Sequence, residues 1–337
     1  MLADAAVAPP ALPPAPDTLQ PRHGPAWGRH AGRLHSLDWR GCTEVQPRPF
    51  WWRRLRHKRW HYVGLHAGPV FIGLAVVDVG WCCTAFAYLF EQGRGLRADL
   101  RRDALPGMAG VSSHVGGHGS RLAAPGATWA LTADAGGLHV QLRSRALELD
   151  ALVDLDGADA PWLLAVGPVD GGGPHATQKS PALRASGMAR AAGQTYDLAG
   201  GTASIDSSAG YLPRTTAWRW ASAHAPGIGF NLQAGYFGGH ENALWLDGRL
   251  IPLSAAHFSF DASQPLRPWR IRTEDGLLDL LFTPDGARGE DRNLLLAASH
   301  YVQPIGRFSG TVRAAPGSPS RKVHDLVGVT EDHRSRW

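Results

Sequence analysis

Three short apolar runs open the patterned part of the chain, at residues 60–65, 70–77 and 82–90, separated by the turn-forming stretches 66–69 and 78–81. They are rich in Val, Ile, Phe and Tyr and bounded by Gly, Pro or Asp, which predicts strands rather than helices. Three in succession predict an antiparallel meander. Residues 94–119 are polar and Gly-rich, and within them only 96–105 predicts a short helix. Strands are expected again over 128–133 and 138–149, joined by a turn at 134–137, and then over 162–166.

The second half carries the sharpest local signals. Asp247-Gly248 separates the apolar stretches 244–246 and 250–253, and Asp275-Gly276 separates 271–274 from 277–282. Asp-Gly at this spacing predicts hairpins with type I′ turns. Leu278, Leu280 and Phe282 fall on one face of their strand and Asp279 on the other. Further strands are expected at 294–302, 305–313 and 322–329, the last closing the sheet, and no helical period competes. The pattern gives an all-β fold class. The first domain, 32–178, should end in the loop between Val169 and Lys179, and the second occupies 179–337. Residues 1–31, rich in Ala and Pro, offer little to bury and are expected to form a disordered arm.

Composition adjusts this picture only slightly. A chain of 337 residues accommodates two domains, and 41 Gly, 25 Pro and 13 Trp against 3 Met agree with many turns and aromatic-lined sheets. The 34 basic residues are offset by 29 acidic ones, so the chain lacks the dense basic face of a dedicated nucleic-acid binder. Cys42, Cys82 and Cys83 make no disulfide framework, which points to a reducing, cytoplasmic location. The first twenty residues lack the basic and unbroken apolar regions of a signal peptide. Residues 68–90 carry one charge, Asp78, and are long enough to cross a bilayer. A charge near the centre of a spanning helix costs roughly 2.5–3.5 kcal/mol, and the β-branched content favours two strands bending at 78–80. No integral membrane segment is expected.

Among local motifs, residues 51–60 interleave Trp51, Trp52 and Trp60 with five cations, Arg53, Arg54, Arg56, Lys58 and Arg59. Acidic membranes and nucleic acids are both met by such patterns, and the plainer reading is a solvated lead-in to a strand. Peripheral membrane contact therefore stays open, while no nucleic-acid partner is expected. His114 and His118 lie four apart in a Gly-rich loop without a third ligand, so no metal is expected. Nucleotide-loop, nucleophile-elbow, H-E-x-x-H and C-x-x-C signatures are missing, and nothing implies a cofactor. Adjacent Cys82 and Cys83 read as small core residues on opposite strand faces, and Asp78 as a turn residue, with a raised-pKa acid as its alternative.

The richer constellation lies further along. Lys179, Asp206, Trp218, Trp220, Asn231, Glu241, Asn242, Trp245, Glu331 and His333 alternate polar groups with indoles. Trp218 and Trp220 share a strand face, as would Glu241 and Trp245, so carboxylate and rings together would line a barrel interior. Glu241, Asp206 and His333 are the candidate catalytic groups; the others are candidate ligand contacts. Structural salt links are the competing reading, since ion-pair networks gather the same residue types.

Several runs also carry a family resemblance: Trp60-His61-Tyr62-Val63-Gly64, Ala75-Val76-Val77-Asp78-Val79-Gly80, Thr84-Ala85-Phe86-Ala87-Tyr88-Leu89, Trp218-Arg219-Trp220-Ala221, Glu241-Asn242-Ala243-Leu244-Trp245-Leu246-Asp247-Gly248 and Gly328-Val329-Thr330-Glu331-Asp332-His333. In this order, over residues 32–337, they resemble the bacterial domain of unknown function 2804 family. The resemblance implies two tandem lipocalin-like antiparallel β-barrels (calycin-like), distantly similar to carotenoid hydratases, tocopherol cyclases and AttH-like proteins, with no established reaction. The Ala/Pro-rich opening and the loop at 114–119 depart from the pattern. Two functions follow as expectations: binding of a small hydrophobic, lipid-like or isoprenoid molecule in an aromatic-lined cavity, or acid-initiated hydration or cyclisation of an alkene in such a molecule. A protein-binding role would instead expose its aromatics. Oligomeric state is left open.

Overall fold

The computed structural model describes residues 11–20, 23–112, 119–156, 161–293 and 298–337. Among them strands dominate, and the single α-helix is the short Phe50–Arg56. The expected meander is present as Lys58–Ala67, Val70–Asp78 and Cys83–Glu91, paired antiparallel with Val63 opposite Leu74 and Leu74 opposite Ala87. These strands are buried on both faces. Val63, Leu65, Ile72 and Leu74 point into the first barrel's core, while Tyr62, Phe71, Ala75 and Tyr88 point outward onto the second sheet. Double burial removes the apolar/polar alternation, which is why 68–90 reads as one continuous apolar run. Asp78 ends its strand by accepting a hydrogen bond from the Gly80 amide at 2.8 Å and pairing with Arg59 at 2.5 Å. No helix among the described residues is long and apolar enough to cross a membrane.

A 14-stranded sheet curls around the first core, and a nine-stranded sheet around the second. Residues 96–105, expected as a helix, instead lie in the strand Gly95–Ala104 beside Cys83–Glu91. Ala98 and Leu100 are buried on one face while Arg97, Asp99 and Arg101 take the other, so a period of two overrides helix propensity. In the second sheet Arg321–Arg336 is an interior strand between Thr215–Ala225 and Ala298–Val312. The turn at Asp247-Gly248 is type I′, both residues being left-handed at φ 51° and 74°. The second Asp-Gly differs. Gly276 is left-handed, whereas the Asp275 carboxylate accepts from the Leu277 amide and the Thr273 hydroxyl, making a four-residue connection between Trp269–Thr273 and Leu278–Asn293.

Three expectations about the chain's organisation meet a different arrangement. The position 178/179 lies within the strand Pro174–Ala191, which stays in the first sheet, and the change of sheet falls between Gly210 and Thr215. The loop after Val169 is a tight turn closed by Val169 N–H to Gly173 carbonyl, and it returns the chain to the same sheet. The opening segment is packed from residue 11 onward where described. Gly28–Ala31 pairs with Leu163–Pro168, Trp27 stacks on Trp39 at 6.0 Å, and Leu19 is buried with Leu34 and Leu37. A few apolar anchors suffice here because the first sheet supplies the complementary surface. Finally, residues 298–302 of the strand expected over 294–302 join the one expected over 305–313 in a single strand, Ala298–Val312, while 294–297 lie outside the described residues.

Candidate functional site between the two sheets

Two rows of directly opposed residues cross the outward face of the first sheet. One runs Lys179, Asp206, Tyr62, Ala75, Phe86, Arg101, and the other Thr177, Ser208, Trp60, Val77, Thr84, Asp103. Opposed residues in a ladder sit on the same face, so residues separated by more than a hundred positions share one surface. The second sheet faces it with two rows of its own: Gln233, Trp220, Glu331 and Trp218, His333, Tyr301. A cavity of about 350 Å³ lies between, so the site is formed by the outer faces of both barrels rather than by either interior.

At one end Lys179 holds two carboxylates. Its Nζ is 2.5 Å from Asp206 Oδ2 and 2.9 Å from Glu241 Oε2, and the lysine and Glu241 side chains are 3% and 4% exposed. Asp206 is also held by the Ser208 hydroxyl at 2.9 Å, with Thr177 behind it. Burial opposes the charge on Lys179, but Asp206 and Glu241 outweigh it and hold its pKa above the ordinary lysine value. Burial raises the Glu241 pKa; Lys179 opposes that rise and Asp206 adds to it. Burial thus moves the Glu241 carboxyl towards its protonated form, against the pull of Lys179.

Glu331 is held differently. It accepts from Trp218 Nε1 at 2.9 Å, Gln303 Nε2 at 2.9 Å and His333 Nδ1 at 3.1 Å. With Nδ1 facing a carboxylate, Nε2 of His333 lies within hydrogen-bond distance of the Ser335 hydroxyl at 2.8 Å and the Ser299 hydroxyl at 3.2 Å. Glu331 is an anchor that fixes Trp218 and His333, whose rings lie 4.0 Å apart. Trp220 meets Tyr62 edge-on at 5.6 Å and donates to Asn231 Oδ1, and Asn231 Nδ2 donates to the Glu241 carbonyl.

Of the candidates, Lys179, Asp206, Trp218, Trp220, Glu241, Glu331 and His333 line the cavity. Asn231 supports it from behind. Asn242 and Trp245 do not reach it: Asn242 serves the Gln233 amide and the Ser254 carbonyl, and Trp245 packs with Leu163 and Ala243. Glu241 lies in the turn before Ala243–Leu246, so the strand parity that would join it to Trp245 does not apply. His114 and His118 lie outside the described residues.

Arg288 was not legible. The sequence Pro284-Asp285-Gly286 resembles a chain reversal, yet the strand continues through a bulge there and carries Arg288 to the cavity. Its guanidinium lies 4.5 Å from the Phe86 ring centre, 4.9 Å from Tyr88 and 5.4 Å from Tyr301. Nη2 pairs with Asp99 at 3.1 Å, whereas Nη1 is buried without an acceptor among the described residues.

Fold and site together define a paired lipocalin-like β-barrel protein with its cavity at the seam. The chain belongs to the family described as domain of unknown function (DUF2804), whose model matches residues 28–337. Among solved structures, an AttH-like protein from Nitrosomonas europaea is 14% identical with a TM-score of 0.51, the match covering 84% of this chain and 92% of its own. CghA, solved with Sch210972, is 10% identical with a TM-score of 0.53 over 83% and 88% of the two chains. Kievitone hydratase from Nectria haematococca is 11% identical with a TM-score of 0.49 over 92% and 98%. A comparison with curated proteins returns no match.

Proposed function

We propose that the chain binds an elongated, largely apolar molecule in the slot between its sheets, with an acceptor oxygen of that molecule on Arg288. The observation that carries this reading is the slot itself: about 350 Å³, walled by Tyr62, Phe86, Trp218, Trp220 and Tyr301, with charged groups gathered at its two ends. Such a volume suits a small ligand, and aromatic walls with few convergent polar groups are the usual lining of such sites. From Asp206 to Phe86 the first row crosses three interstrand spacings, roughly 14 Å, so the two charged ends are separated by the length of an extended chain. A buried cationic N–H without an acceptor is costly, and a carboxylate or carbonyl oxygen would relieve it. Titration with farnesoic acid, farnesal and farnesene tests the reading. The two oxygenated probes should bind at least tenfold tighter than the hydrocarbon, and Arg288→Met should abolish that preference while farnesene binding stays. Failure of all three probes to bind would remove the cavity reading, whereas equal ratios in both proteins would remove only the role of Arg288.

One further observation favours chemistry over simple carriage. Glu241 combines a raised pKa with a place on the wall of the cavity that Trp218 and Trp220 also line. As an acid it would give its proton to an alkene carbon; the rings would stabilise the resulting cation, and water would add, returning its proton to the Glu241 carboxylate. A bound alkene incubated in H₂¹⁸O should then gain one labelled water. Glu241→Gln should abolish the product and leave probe binding intact. If alkenes that bind yield no product, the carrier reading stands alone.

A further inference from the structure

Twelve large apolar side chains among the described residues are exposed, and six of them are Phe50, Trp51, Leu55, Trp81, Leu105 and Met108. They come from three separate segments that meet. A Cβ built on Gly80 would lie 2.3 Å from the Leu55 carbonyl, and one on Gly107 would lie 3.9 Å from Arg54 Nη2, so the turn at 80 and the loop at 107 both abut the helix Phe50–Arg56. The helix is fixed from below. Trp52 stacks on Tyr211 at 5.6 Å, and buried Arg53 donates to the carbonyls of Arg48 and Arg40. With those two residues inward, Phe50, Trp51, Arg54 and Leu55 are held outward on a rigid base.

The patch is basic as well as apolar. The helix has no acidic residue in its first turn, and Arg48, Arg54 and Arg56 are exposed. Among the described residues none of these three is ion-paired with a carboxylate. Val79, Trp81 and Cys82 also line the cavity between the sheets, and Trp81 is 40% exposed, so the patch borders the slot where it reaches the surface.

We infer that this face docks on an anionic lipid surface. Aliphatic and aromatic side chains projecting beside cations match the acyl–headgroup boundary, where the rings and Leu or Met insert and arginines meet phosphates. Charge complementarity selects this occupant. Three cations are few for a nucleic-acid footprint, and Phe50, Leu55, Leu105 and Met108 would gain nothing from a phosphate backbone. The inference stands on the surface alone and does not depend on what the cavity binds.

Cosedimentation of the full chain with vesicles tests it, comparing pure phosphatidylcholine with vesicles containing phosphatidylglycerol, at low and high NaCl. Binding to the anionic vesicles is expected, weakening in high salt. Arg54→Glu with Arg56→Glu should reduce it more than twentyfold, at roughly fivefold or more per cation removed. Trp51→Ser with Leu105→Ser should reduce binding at least tenfold, at high salt as well as low. Leu152→Ser with Met188→Ser, altering exposed apolar residues elsewhere, should change nothing. All of these side chains are solvent-facing, and the circular dichroism of each variant checks that the fold is kept. No binding to anionic vesicles, equal loss in the control variant, or tighter binding to a DNA duplex would overturn the inference. So would a self-association that the patch variants abolish without any effect on vesicle binding.

Discussion

Lys179→Met should destabilise the protein by roughly 3–5 kcal/mol, because it leaves two carboxylates buried without their cation. Methionine preserves the length and most of the volume of the lysine stem, so packing changes little and the electrostatic cost dominates. Asp206 and Glu241 would then face each other across the space where Nζ now sits 2.5 and 2.9 Å from them. The melting temperature should drop by on the order of 10 °C at neutral pH. The loss should shrink as the pH falls, since uptake of a proton relieves the repulsion. A triple variant, Lys179→Met with Asp206→Asn and Glu241→Gln, removes every charge of the group and should recover most of the stability. Urea unfolding of the three proteins at two pH values measures this. A Lys179→Met protein as stable as the parent at pH 8 would mean that the three groups are wetter and more weakly coupled than their burial indicates.

Acid should unfold the protein steeply below pH 6, through four buried histidines. Burial is the largest cause in each case: it lowers His57, His175 and His224 to about 3 and His61 to about 4. His61 and His224 are held by hydroxyls of Ser120 and Thr202, and His57 lies against the Trp39 amide. His175 has no partner on either nitrogen among the described residues and packs among Trp60, Tyr236 and Phe237. A folded pKa below the unfolded one contributes stability that is present above about pH 6.5 and is lost as pH falls towards the folded value. Around pH 5 the unfolded chain holds nearly four more protons than the folded one at these sites, a slope of roughly 5 kcal/mol per pH unit. Glu241, shifted upward, works in the opposite sense and offsets at most one of the four. Stability near 5–15 kcal/mol would be exhausted within about two or three pH units. Chemical denaturation from pH 8 to 4.5 reads the slope directly, and His175→Phe, which forfeits no hydrogen bond, should lower it by about one proton. A flat profile down to pH 4.5 would contradict the burial of these rings.

By itself the sequence determined the local pieces. Short apolar runs between Gly, Pro and Asp gave the opening meander, Asp247-Gly248 gave its type I′ turn, and the ordered runs from Trp60 to His333 gave the family and its paired barrels. These features depend on neighbours in the chain, which composition and spacing describe. The parity argument also placed Trp218 and Trp220 on one face, and that face lines the cavity between the sheets rather than the barrel interior expected for it. It failed for Glu241 and Trp245 because a turn intervenes, and it missed Arg288 because a bulge at Pro284/Gly286 mimics a chain reversal. Only the tertiary structure decided which strand face looks outward to the second sheet, that Asp206 stands opposite Tyr62 and Lys179, and that the change of sheet comes after Gly210. Strand pairing joins residues more than a hundred positions apart, and a doubly buried strand has no polar face to announce its orientation. A site at the seam of two sheets therefore leaves no local pattern in the sequence; it exists only once the register of both sheets is set.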